Sequence, residues 1–157
     1  MRKFTTLLIA FSISSLLFVG CSGSKDNDEK TTEEQTTSKP SEEVAANPMD
    51  NKGIGPVSSV TLGEINKEMA AQGETIFTDK CTACHKADAN FTGPAPKGIL
   101  DRRSPEWVMN MILNPVQMVQ EDPIAKKLMM EFNGSQMANQ NLTEEEARKV
   151  LEYFRTL

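Results

Sequence analysis

Five consecutive residues, Cys81-Thr82-Ala83-Cys84-His85, restrict this chain more than anything else in it. C-x-x-C-H is the spacing that attaches a c-type haem. The two thiols bond to the porphyrin edge and the adjacent His offers a proximal nitrogen to the iron. Because Cys84 and His85 are neighbours, anchoring the second thioether leaves the imidazole beneath the macrocycle. Two other uses of the pattern compete. A redox C-x-x-C belongs in a βαβ context, whereas the residues around this one read as helix followed by loop. A structural zinc site takes four ligands, usually Cys or His, and the whole chain has three Cys and one His. One of those Cys is claimed by the N-terminus.

Residues 1–20 read as an export signal that is later removed. Arg2 and Lys3 form its basic start, and an apolar run over residues 4–19 follows. Its sixteen residues fall short of the roughly 20 that a bilayer span needs. The run ends in Leu17-Phe18-Val19-Gly20-Cys21, which resembles the lipobox of bacterial lipoproteins, although Phe18 stands where Leu is commoner. That resemblance makes Cys21 the diacylated first residue of the mature chain and a contact with membrane lipid. The competing reading is an ordinary signal peptide with Cys21 near its end by chance, which leaves an unexplained third thiol in an exported protein.

Residues 21–56 read as a disordered tether. Over residues 24–43, ten of twenty side chains are Lys, Asp or Glu and most others are Ser, Thr, Asn or Gln, too little apolar surface to offset the entropy of ordering. A flexible chain of that length has an r.m.s. span of about 30–35 Å. Residues 57–157 form one domain. Losing residues 1–20 moves the net charge from −5 to −7, and the domain itself carries 11 basic and 14 acidic side chains. A mildly acidic domain lacks the clustered Lys and Arg of a nucleic-acid binder.

Four helices are expected in that domain. The first covers about residues 62–79, with Ile65, Met69, Ile76 and Phe77 on one stripe. Gly73 inside it costs about 1 kcal/mol against Ala, a sign that another backbone comes close. The second starts at Ser104-Pro105, an N-cap followed by Pro at the first position, and Asn114-Pro115 ends it. Asp122-Pro123 opens a third, which Gly134 stops. The last has a capping box, Thr143-x-x-Glu146, with Ala147, Val150, Leu151 and Phe154 on one face. No segment alternates as a strand, so the domain reads as all-α.

With these features the domain resembles the class I monohaem c-type cytochromes. The shared marks are Gly73-x-x-x-Phe77 before the haem motif, Gly93-Pro94 after it, Trp107 on a middle helix, and a Met-bearing loop before a C-terminal helix. The resemblance implies about four helices around one covalent haem c held by Cys81, Cys84 and His85. It also implies a close crossing of the first and last helices at Gly73, against Leu151 and Phe154, and a His85 bond to the Pro94 carbonyl that fixes the ring tautomer.

His85 is the only His, so the sixth iron ligand must come from elsewhere. Met109, Met111, Met129 and Met130 fall on predicted helices and read as core filler. Met137 lies in the polar loop over residues 133–141, 52 positions beyond His85, and the family pattern makes it the distal ligand. Relatives commonly have Pro after this Met, where Ala138 stands here. Arg102 and Arg103 either meet haem propionates or are surface charges; Trp107 either donates its indole N–H to a propionate or is simply core.

A filled sixth position points to electron transfer. The expectation is a non-enzymatic, monomeric single-electron carrier, anchored by Cys21 to a cell-envelope membrane and facing the periplasm, or exposed at the surface. Its redox partners would be proteins such as a respiratory complex and a terminal reductase or oxidase. A haem sensor or minor peroxidase with a displaceable Met137 is the alternative, and a structural haem domain in a larger complex is a third.

Overall fold

The computed structural model describes residues 47–157. The expected signal peptide, Cys21 and the tether up to residue 46 lie outside the described residues. Five α-helices and one short 3-10 turn, with no strand among the described residues, make up the fold: α1 (Lys67–Lys80), the 3-10 turn (Ile99–Asp101), α2 (Pro105–Leu113), α3 (Pro115–Glu121), α4 (Pro123–Glu131) and α5 (Glu144–Phe154).

The capped starts form as their sequences dictate. The Ser104 hydroxyl accepts the Trp107 N–H at 3.1 Å, Asp122 Oδ1 accepts the Ala125 N–H at 2.7 Å, and Thr143 and Glu146 close a reciprocal capping box. Two expectations about the helices need correction. Asn114-Pro115 ends α2, as expected, but it also opens α3, with Pro115 at the first helical position where its missing N–H costs nothing. And α1 begins at Lys67, not near residue 62. Asn66 caps it by accepting the Met69 N–H. The Asn66 N–H is itself given to Glu152 Oε1 at 2.7 Å, and the Gly63 carbonyl accepts Arg155 Nη2 at 2.6 Å. Backbone groups committed to α5 in this way are not free to extend α1, and Leu62 and Ile65 stay exposed.

α1 and α5 cross at Gly73. A Cβ there would fall on the carbonyl of Lys149 and 3.0 Å from the Val150 nitrogen, so the absent side chain is what lets the two backbones meet. Beside the crossing, Phe77 packs edge-on against Phe154, with ring centroids 5.7 Å apart, and at 5.5 Å from Tyr153. Ala147, Val150 and Leu151 of α5 are buried with Trp107, Val108 and Ile112 of α2 in one core.

The folded region also starts earlier than residue 57. Residues 51–60 run as an extended strap fastened by side chains of α2 and its neighbours. Asn110, 1 % exposed, accepts the Val57 N–H and donates to the carbonyls of Lys52 and Val57, each at 2.9 Å. Glu106 accepts the Val60 N–H at 3.0 Å, Ser104 donates to the Asn51 carbonyl at 2.6 Å, and Met118 Sδ accepts the Ile54 N–H. Gly53 has φ +71, and a Cβ on it would press on Met118 and Trp107. The polar composition that reads as tether thus includes a stretch whose backbone is satisfied by buried amides.

Candidate haem-binding site

α1 does not stop abruptly. The Cys81 N–H bonds to the Phe77 carbonyl, and the N–H groups of Cys84 and His85 both bond to the Cys81 carbonyl, at 3.0 and 2.9 Å. One further turn therefore brings residues three and four apart onto one side: Cys81, Cys84 and His85 line the same cavity. Neither cysteine is in a disulfide. Burial, and secondarily the Cys84 beside it, pushes the Cys81 thiol up to about 11, so it is uncharged at neutral pH.

The loop that follows is folded back under the imidazole. The Gly93 N–H bonds to the Cys84 carbonyl at 2.9 Å, and His85 Nδ1 lies 2.8 Å from the Pro94 carbonyl. A carbonyl only accepts, so Nδ1 carries the proton and Nε2 keeps the free lone pair needed in a metal ligand. Gly93 makes room for this. A Cβ there would lie 2.9 Å from Nδ1 and 3.0 Å from Nε2, in the space the ring occupies. Arg102 holds the far side of the loop through the carbonyls of Lys97 and Ala95, at 3.2 and 3.3 Å.

Met137 reaches the same cavity from the loop after α4. Left-handed residues bracket that loop, Asn133 (φ 57) and Gly134 (φ 74) at one end and Asn141 (φ 54) at the other. Asn139 ties it to the Leu113 carbonyl at 3.4 Å. The remaining wall is mostly apolar, with Phe77, Val108, Ile112, Val119, Leu128 and Val150, and is joined by Lys80, Thr92, Ser135, Gln136 and Gln140.

The other methionines divide. Met109 is core and Met130 is exposed, while Met111 and Met129, expected as filler, also line the cavity. Periodicity places a residue on a helix face without saying what that face meets. Trp107 is buried and lines the cavity, and its indole N–H is given to Asp122 Oδ1 at 3.1 Å. Asp122 takes a third donor, Asn51 Nδ2, at 2.6 Å. Neither partner was readable beforehand: Asp122 shows in the sequence only as a helix cap. Arg103 sits half-buried with its guanidinium 5.4 Å from the Trp107 ring centroid. Burial and the adjacent Arg102 push its pKa down, with Asp122 and Glu131 opposing.

Two thiols, a tautomer-fixed imidazole and a thioether around one apolar cavity fit a covalently held haem, and the cradle at Gly93 is shaped to the ring that would ligate it. Among the described residues no group of three or more His, Cys, Asp or Glu is placed to hold a metal ion. The sequence model of the cytochrome c family matches residues 70–157.

The chain belongs to the cytochrome c family. Its cofactor is a covalently bound haem c, and the family's members are electron-transfer proteins rather than enzymes. Over 46 residues the chain is 37% identical to cytochrome c2 of Rhodopseudomonas palustris, covering 29% of this chain and 32% of that one. It thus spans about a third of that relative's length. Cytochrome c from Rhodothermus marinus superposes with a TM-score of 0.62 at 47% identity, over 65% of this chain and 88% of that one. A cytochrome c domain from Pseudomonas putida gives 0.50 at 28% identity, over 54% and 85%.

Proposed function

We propose that this cytochrome c is a single-electron carrier held at a bacterial cell-envelope membrane. Cys81 and Cys84 would form the thioethers to the haem, and His85 Nε2 and Met137 Sδ would ligate its iron. Bound there, haem c supplies an iron that takes up and releases one electron at a time. The chain's own part is to hold and shield: the Pro94 carbonyl orients His85, and the apolar wall keeps water from the cavity. The observation that carries the reading is the convergence of Cys81, Cys84, His85 and Met137 on one cavity. Among its described lining residues are no carboxylate and no second imidazole, the groups a peroxidase uses for proton transfer.

The wider reading places residues 1–20 as a lipoprotein signal, Cys21 as the lipidated residue, and the domain as a monomer facing the periplasm. Its partners are a respiratory complex and a terminal reductase or oxidase. Supports are the Gly20-Cys21 ending of an apolar run and the charged, polar stretch behind it.

The test is the full chain produced with a cytochrome c maturation system. Denaturing mass spectrometry should show one covalent haem, and stopped-flow mixing with a reduced redox protein should show fast one-electron uptake. Rapid carbon monoxide binding or useful peroxide turnover by the unmodified protein would favour a sensor or peroxidase instead. Cys21→Ser should move the protein from membrane to soluble fraction; an unmodified protein already soluble in the periplasm removes the anchor.

A further inference from the structure

Behind the cavity wall lies a carboxylate that the carrier reading leaves unused. Asp122 is 2 % exposed, and among the described residues no Lys, Arg or His nitrogen lies within 4.0 Å of it to form an ion pair. Its partners are neutral donors throughout: Trp107 Nε1 and the Ala125 N–H on Oδ1, and Asn51 Nδ2 on Oδ2. The Asn51 amide is oriented in turn, because its Oδ1 accepts the Gly53 N–H at 2.7 Å. The carboxylate thus accepts three N–H bonds and donates none. Two of the residues that supply those bonds, Trp107 and Ala125, line the cavity themselves, as does Val119 one turn earlier. The carboxylate is one residue layer from the cavity.

We infer that Asp122 is an electrostatic and positioning residue of the carrier: its buried negative charge stabilises the oxidised form and sets the reduction potential low. The inference rests on the carrier reading. A haem held in the cavity would gain a positive charge on oxidation, and a carboxylate with no close ion-pair partner, in a poorly screened interior, favours that state. Arg103, stacked by the same indole, acts in the opposite sense and from a more exposed position. A cap for α4 alone would need only the Ala125 bond. Joining Trp107 and Asn51 to the same carboxyl fixes the charge, the cavity wall and the strap in one place.

The experiment is spectroelectrochemistry of the haem-loaded full chain at low and high salt, with the exchange of the indole N–H followed by NMR; the chain has one Trp. Asp122→Asn keeps an oxygen for Trp107 and Ala125 and removes the charge. It should shift the potential positively, raising the reduced-to-oxidised ratio at a fixed potential several-fold, equally at both salts, with the indole N–H still protected. Arg103→Gln should shift it negatively, and Glu131→Gln, at the surface, should leave it alone. An unchanged potential in Asp122→Asn with a lowered melting temperature would reduce Asp122 to a cap and overturn the inference, as would shifts of the same sign in both variants. Where Asp122→Asn does not fold, Arg103→Gln decides: a negative shift supports the inference and none overturns it. A wild-type protein without covalent haem would overturn the carrier reading itself, whereas a haem protein indifferent to both charges overturns only this one.

Discussion

Glu152, near the end of α5, accepts the backbone N–H of Asn66 at 2.7 Å and so marks where α1 begins. The carboxylate is fully buried and also bonds Arg148 and Arg155, the latter at 2.8 Å. Burial pushes its pKa up, but the bonds from Arg148, the Asn66 N–H and Arg155 outweigh that and hold it below the ordinary 4.5. A depressed acid contributes stability that is full above the unfolded value and is lost as pH falls through the folded one. Denaturant unfolding should therefore show a loss of stability below about pH 4.5 that Glu152→Gln lessens. The same variant should cost about 2–3 kcal/mol at pH 7.

Gly73→Ala should be among the most damaging small substitutions in the domain. The new methyl meets the Lys149 carbonyl, a backbone group with no rotamer to escape into. A loss of about 3 kcal/mol is expected, read as a lower urea midpoint. Gly63→Ala, where nothing lies within 4 Å, should be close to neutral.

Met137→Ala should abolish the near-infrared charge-transfer band of the oxidised protein and lower the reduction potential, because a thioether favours ferrous iron. Met111→Leu and Met129→Leu serve as controls, since both also line the cavity. They should keep the band. If either removes it while Met137→Ala does not, the ligand is misassigned.

Gly93→Ala should press on the His85 ring and break its bond to the Pro94 carbonyl. The expected result is a several-fold lower yield of haem-bearing protein, measured as Soret absorbance per unit protein, with helix content by circular dichroism retained.

Much of this was legible because capping is local. Ser104-Pro105, Asp122-Pro123 and Thr143-x-x-Glu146 each announce a start within four residues, and each helix begins there. The haem motif is equally local. What escaped depends on partners far along the chain. The start of α1 is decided by Glu152, 86 positions away. Asn114-Pro115 punctuates in both directions, and only packing shows that Met118 and Val119 are buried in a further helix. The strap reads as linker because its own residues are polar. The amides that satisfy it, Asn110 above all, lie 53 to 58 positions further on.

That strap bears on where the cooperative unit begins. The family resemblance starts at residue 70, yet no buried side-chain nitrogen or oxygen among the described residues lacks a partner, and Asn110 meets that condition through Lys52 and Val57. A fragment trimmed to the family boundary would keep every residue that lines the cavity and strand that amide in the interior, at a cost of about 1–3 kcal/mol for each orphaned group. The family-matched region therefore shares its buried hydrogen bonds with residues that precede it. The cooperative unit accordingly takes in the residues from 51 onward, and the strap is fastened to the scaffold of α2 rather than to the loop bearing Met137.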